Sequence, residues 1–126
     1  MEEAKQLVAE IKNRQLKPIY FLMGDEPYYI DKIASFIGDT VLTEAEKGFN
    51  QMTLYGRDTS VEALVSNAKR YPMMADYQVV IVKEAQHLSR TIEQLVGYAE
   101  HPQPTTIIVK CYKYKKGKQR LNSKMH

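Results

Sequence analysis

The chain has 126 residues, 44% hydrophobic and 26% charged, the make-up of a soluble globular domain with length for one core and little room for a second. No apolar run approaches the ~20 residues of a membrane-spanning helix, and the acidic start MEEAKQLVAEIKNR lacks the basic and apolar regions of a secretory signal. The single cysteine, Cys111, has no partner for an internal disulfide, which fits a cytoplasmic protein, and no Cys/His pair has zinc spacing. The net charge of +3 is unevenly spread. Residues 110–126 hold seven basic side chains and no acid, which leaves residues 1–109 with 11 basic against 15 acidic ones, or −4.

In chain order, Ala4, Leu7, Val8 and Ile11 recur at helical spacing and predict a helix over about 2–15. PIYFLMG follows as a strand stopped by Gly24. Pro27 suits the first turn of the next helix, whose apolar stripe is Ile30, Ile33, Ala34, Ile37 and Val41. FNQMTLYG (49–56) alternates loosely and reads as a second strand. Thr59-Ser60-Val61-Glu62 has the spacing of a capping box, with Thr59 as the cap, for a helix that buries Val61, Leu64, Val65 and Ala68. Pro72 ends that helix in the loop YPMMAD (71–76). YQVVIVKEA (77–85) is a continuous apolar run, as in a strand buried on both faces. Ser89 or Thr91 can cap a helix carrying Ile92, Leu95, Val96 and Ala99, and TTIIVKCY (105–112) is a fourth strand.

The alternation α-β-α-β-α-β-α-β predicts an α/β fold in three layers, a mainly parallel sheet with helices on both faces. Ligands of such sheets bind at the carboxyl ends of the strands, here Gly24-Asp25, Gly56-Arg57, Lys83-Glu84 and Tyr112-Lys113.

The first of these ends, GDEPYYIDK (24–32), has the strand, glycine and helix start of a phosphate-binding loop. A phosphate loop reads G-x-x-x-x-G-K-[ST]: the second glycine lets the backbone curl, the lysine reaches the outer phosphates and the hydroxyl holds Mg²⁺. Laid on Gly24, those three roles fall on Tyr29, Ile30 and Asp31. Asp25, Glu26 and Asp31 put negative charge near the helix start, where it answers the helix dipole and repels a triphosphate. Lys32 lies roughly 200° around the helix from Ile30, and Tyr28 and Tyr29 occupy volume that a nucleotide needs. A second position fails independently. The apolar strand of a P-loop ATPase ends in a metal-binding acid, and here VVIV ends in Lys83-Glu84, a cation where Mg²⁺ would sit. The expectation is a chain with no cofactor, no metal and no ATP hydrolysis of its own.

KPIYFLMGDEPYYIDK, VVIVKEAQHL and IIVKCYKYKKGKQR resemble the delta subunit of the bacterial DNA polymerase III clamp loader, over about Lys17 to Arg120. The resemblance implies a P-loop NTPase (AAA+)-like fold with a degenerate nucleotide site, residues 1–126 being the N-terminal part of a longer protein and stopping short of a complete AAA+ domain. It implies a non-catalytic component of a DNA-directed DNA polymerase holoenzyme. Its expected partners are the sliding clamp, other clamp-loader subunits through a C-terminal region, and DNA indirectly or weakly, with no membrane. In that family the clamp is opened by hydrophobic residues at the tip of the helix–loop before the third strand. On this sequence the place is YPMMADYQ: Met73 and Met74 take the two hydrophobic positions, and Tyr71 and Pro72 shape the approach. Leu or Phe is common there, so the Met-Met pair is a departure, although methionine suits an adaptable anchor.

Each reading has a plainer counterpart. Met73 and Met74 can instead cover their own core, as apolar residues beside a loop usually do. Lys83 and Glu84 can be a surface pair at a strand end, and His87 a loop histidine. The basic segment 110–124 can be solvated, or it can contact DNA through Lys113, Lys115, Lys116, Lys118 and Arg120, with Tyr112 and Tyr114 stacking on bases. A nucleotide-binding enzyme with an unusual P-loop is the remaining alternative.

Overall fold

The computed structural model describes residues 2–24, 26–88 and 92–113. Four parallel strands, β1 (Ile19–Gly24), β2 (Gln51–Tyr55), β3 (Gln78–Lys83) and β4 (Thr106–Lys113), form one sheet in the order β1-β4-β3-β2. Five helices accompany them: α1 (Glu2–Lys12), α2 (Pro27–Val41), α3 (Glu44–Asn50), α4 (Val61–Ala68) and α5 (Ile92–Glu100). Side chains alternate across each strand, so one sheet can feed two cores. Val79, Ile81, Ile107, Val109 and Cys111 pack with Ile11 of α1 and Ile30, Ala34 and Ile37 of α2. Val80, Val82, Ile108 and Tyr112 pack on the other face with Val61, Leu64 and Ala68 of α4 and Leu95 and Tyr98 of α5. The three-layer α/β arrangement follows directly, and VVIV is buried on both faces as its continuous apolar run requires.

Three boundaries differ from the sequence expectation. α1 stops at Lys12 because Arg14 turns into the left-handed region (φ 61°), with Gln15 N–H donating to Glu10 O and Arg14 N–H to Ile11 O. That is a Schellman closure made with arginine in place of glycine. Phe49 and Asn50 are helical, not the start of β2: they end α3, an element the periodicity did not reveal. α3 opens on a reciprocal capping box, Glu46 N–H to Thr43 Oγ1 at 3.2 Å and Thr43 N–H to Glu46 Oε1 at 2.9 Å. Finally, α4 is capped by Ser60, whose hydroxyl accepts from Ala63 N–H at 3.1 Å. Thr59 stays extended and outside the helix, which leaves Glu62 one position too early to close a box. Ser89 and Thr91 lie outside the described residues.

Candidate protein-docking site

Because all four strands run the same way, the sheet has two distinct edges. The carboxyl ends gather Gly24, Tyr55-Gly56, Lys83-Glu84 and Lys113. The amino ends gather the α3–β2 junction, the loop 71–76, and the segments entering β1 and β4.

At the carboxyl edge, α2 starts with Pro27 in its first turn, and Glu26 caps it by backbone alone, with no side-chain hydrogen bond. Of the carboxylates expected to answer the helix dipole, Glu26 stands at the N-cap itself. The first turn contains no acid, and Asp31, a turn further on, has a buried Oδ1 without a hydrogen-bond partner. Asp25 lies outside the described residues. Ile30, at the position of the phosphate-loop lysine, is 4% exposed, with its Cδ1 close to Gly24. A side chain committed to the core has no path to a phosphate. Tyr28 and Tyr29 are both exposed beside the helix start, ring to ring edge-on at 5.6 Å, and Lys32 lies over the Tyr28 ring.

Lys83 and Glu84 do not form a surface pair with each other. Glu84 takes a left-handed turn (φ 51°), and its Oε1 lies 3.8 Å from Nε2 of the exposed His87, which also lies 3.3 Å from Arg57 Nη2. The Glu84 carbonyl packs directly on Gly56, where a Cβ would stand 3.1 Å from the Glu84 carbonyl carbon and closer still to its oxygen. The ends of β2 and β3 are thus packed directly against one another.

The basic segment also changes character. Lys110 is 3% exposed inside β4, its ammonium 5.5 Å from the Phe21 ring centroid and 5.3 Å from that of Tyr112. Removal from water lowers its pKa to about 8. Tyr112 is likewise buried, with its hydroxyl unpartnered and its pKa pushed up to about 12. Neither side chain has the access that stacking on bases or pairing with phosphate requires. Lys113 ends β4, while Tyr114, Lys115, Lys116, Lys118 and Arg120 lie outside the described residues.

The amino edge is built differently. α4 ends at Ala68, whose carbonyl accepts from Thr106 Oγ1 at 2.6 Å. Gln78 Nε2 reaches Asn67 O at 3.0 Å and Arg70 O at 2.9 Å. These bonds tie the end of α4 to the first residues of β3 and β4, and the loop between them projects. Tyr71 is 78% exposed, Met73 56% and Met74 96%; Pro72 is half-buried beneath them. The sequence alternative in which both methionines cover their own core is thereby excluded. Met74 sits in the left-handed region (φ 56°), a conformation that costs an L-residue roughly 1–2 kcal/mol.

The loop is held from beneath by Asn50, a residue the sequence did not single out. Asn50 is buried, and its Oδ1 accepts from Met73 N–H at 2.6 Å while its Nδ2 donates to Met73 O at 2.8 Å. Its neighbour Phe49 is 77% exposed. Four large apolar side chains thus stand in water on two chain segments joined through one asparagine. Surfaces of that kind are protein-docking sites more often than accidents. Their signal in the sequence was partial: Thr43-Glu44-Ala45-Glu46 marks the start of α3, but no pattern announces a side chain that pairs with a loop 23 residues away.

The family model for "DNA polymerase III, delta subunit" matches residues 20–125. DNA polymerase III subunit delta of Bacillus subtilis (strain 168) is 25% identical over 115 residues, 84% of this chain and 33% of its own length. The chain therefore spans about a third of the curated relative it matches. Among solved structures, the Bacillus subtilis DNA clamp loader delta protein superposes with a TM-score of 0.79 at 23% identity, covering 95% of this chain and 39% of that one. A DNA polymerase III gamma subunit-related protein of Thermotoga maritima gives 0.65 at 13% identity, covering 87% and 39%. These structures share the α/β fold seen here. Among the described residues no helix is long and apolar enough to cross a membrane. A sheet of this topology, a phosphate-loop corner without its lysine, and a family match over most of its length lead to one conclusion: the chain belongs to the DNA polymerase III delta subunit family.

Proposed function

We propose that this chain binds the sliding DNA clamp through the loop Tyr71–Met74 and helps to open it, as a non-catalytic part of a clamp loader. The observation that carries the reading is the exposure of Met73 and Met74, 56% and 96%, on a loop that hydrogen bonds from Asn50 and Gln78 hold at the sheet's edge. Two adjacent flexible thioethers suit an apolar groove on a partner. Burying a methionine side chain is worth about 1.5–3 kcal/mol, so the pair supplies much of the energy of a micromolar contact. Binding opens a ring only if the bound surface favours the clamp with its subunit interface distorted, and it then shifts the closed–open equilibrium by that difference in affinity. ATP binding by other subunits would govern when the loop is presented. In this chain Ile30 and Tyr29 replace the lysine and glycine of a phosphate loop, and the core position of Ile30 supports a role without hydrolysis. Contacts with other loader subunits belong, on this reading, to a C-terminal region beyond residue 126.

The test is a titration of purified sliding clamp with the parent chain and with Met73→Ala/Met74→Ala. The expected loss is about a hundredfold, the equivalent of roughly 3 kcal/mol, with thermal stability unchanged because both side chains are in water. Equal binding by the variant removes the assignment.

A further inference from the structure

We infer that Asn50 is the positioning residue of the docking loop: it sets the backbone of Met73 so that Met73 and Met74 are presented in one fixed arrangement. The inference rests on the clamp-docking reading and adds to it a residue on a different element. Asn50 is 4% exposed at the last position of α3. Its side-chain amide pairs with both backbone polar groups of Met73, accepting from N–H at 2.6 Å and donating to O at 2.8 Å. That is the pattern a neighbouring strand would make, supplied by one side chain. The Nδ2 also lies 3.0 Å from Glu46 O, so the amide closes the end of α3 with the group that holds the loop. All of its contacts use the carboxamide's donor and acceptor together, a requirement neither Asp nor Leu meets.

The consequence falls on the next residue. With Met73 fixed, the chain turns through Met74 in the left-handed region, and Met74 stands almost wholly in water. An unclipped loop would leave that conformation for commoner ones, and the ordering would then be required at the moment of binding. Rigid presentation is how an exposed anchor keeps its affinity.

The experiment measures binding of the full chain to purified sliding clamp for the parent, Asn50→Ala, Asn50→Asp, Met73→Ala/Met74→Ala and the triple variant. Amide hydrogen exchange at residue 73 is recorded for each. Asn50→Ala and Asn50→Asp are expected to bind about tenfold more weakly and to lose protection at the residue 73 amide. In the Met73→Ala/Met74→Ala background, Asn50→Ala is expected to change clamp affinity no further, since there is no anchor left to position. Should Asn50→Ala fail to fold, Asn50→Asp, of the same shape, carries the comparison. Parental affinity in folded Asn50 variants, with Met73→Ala/Met74→Ala weakened, overturns the inference and leaves the docking reading standing. An undiminished Asn50 effect in the anchorless background also overturns it, because the residue then acts on the fold at large. If Met73→Ala/Met74→Ala binds like the parent, the docking reading is what fails. Exchange at residue 73 then still decides whether Asn50 holds the loop, with retained protection in Asn50→Ala counting against it.

Discussion

The two edges of the sheet have opposite relations to solvent. At the carboxyl edge, where parallel sheets bind ligands, Gly56 presses on the Glu84 carbonyl and Ile30 fills the core behind Gly24. At those two points the chain is spent on internal contact, while Tyr28 and Tyr29 stand exposed beside them. At the amino edge, Gln78, Thr106 and Asn50 satisfy backbone groups from beneath, and the side chains of Tyr71, Met73 and Met74 are left outside. At one edge the ends of β2 and β3 press on each other; at the other an apolar tip is supported from beneath. The corner that lacks the phosphate-loop residues and the loop proposed to dock can be separated because they lie at opposite ends of the strands.

The sharpest way to break this comparison is a matched pair of small substitutions, one at each edge. Gly56→Ala should cost about 3 kcal/mol in urea denaturation, the upper range for overpacking. The added methyl meets the backbone of Glu84 and Leu88, not the end of a flexible side chain. Met74→Ala, at the other edge, should change stability by less than about 0.5 kcal/mol. If Gly56→Ala is neutral, the carboxyl edge is open enough to separate, and its description as a locked corner is wrong.

Much of this architecture was legible in the sequence. Continuous apolar runs gave β3 and β4 both of their buried faces, because a strand between helical layers has no polar side to show. The loss of the phosphate loop was legible too, since it depends on three residue identities. α3 was missed because EAEKGFN has no apolar stripe: Asn50 is its buried residue, and periodicity cannot detect a helix that packs through a polar side chain. Asn50 itself was invisible for a related reason, since its partners are backbone atoms of Met73 and carry no sequence signal. Lys110 was misplaced because charge was counted along the chain. A lysine on β4 whose neighbours in register are Phe21 and Val82 belongs to the core.

That lysine gives the second test, smaller in size. Lys110 is charged at neutral pH, and burial holds its pKa at about 8, below its ordinary 10.5. Between those values the unfolded chain keeps a proton that the folded chain has released, so stability rises as pH goes from about 8 toward 10.5. Tyr112, raised to about 12, works the other way: above pH 10 the unfolded chain ionises first and stability falls. A maximum near pH 10 is the expected profile in denaturant titrations. Lys110→Met should stabilise the chain at pH 7 by about 2 kcal/mol and abolish the rise above pH 8. An unchanged profile would mean that the ammonium is solvated and that the carboxyl half of β4 is open.

The smallest effect concerns the helix that joins the two edges. α4 begins just after the locked corner and ends shortly before the loop 71–76, so it links the two regions compared above. Ser60, and not Thr59, accepts from the Ala63 amide, although both hydroxyls precede the helix and Thr59 has the sequence spacing of a capping box with Glu62. Ser60→Ala should therefore cost about 1 kcal/mol, while Thr59→Ala should be near zero. Equal costs would mean that the two hydroxyls share the cap and that α4 starts one residue earlier for part of the time. The unequal result is expected because the Ala63 amide already has its acceptor in the Ser60 hydroxyl, while Thr59 stays extended outside the helix.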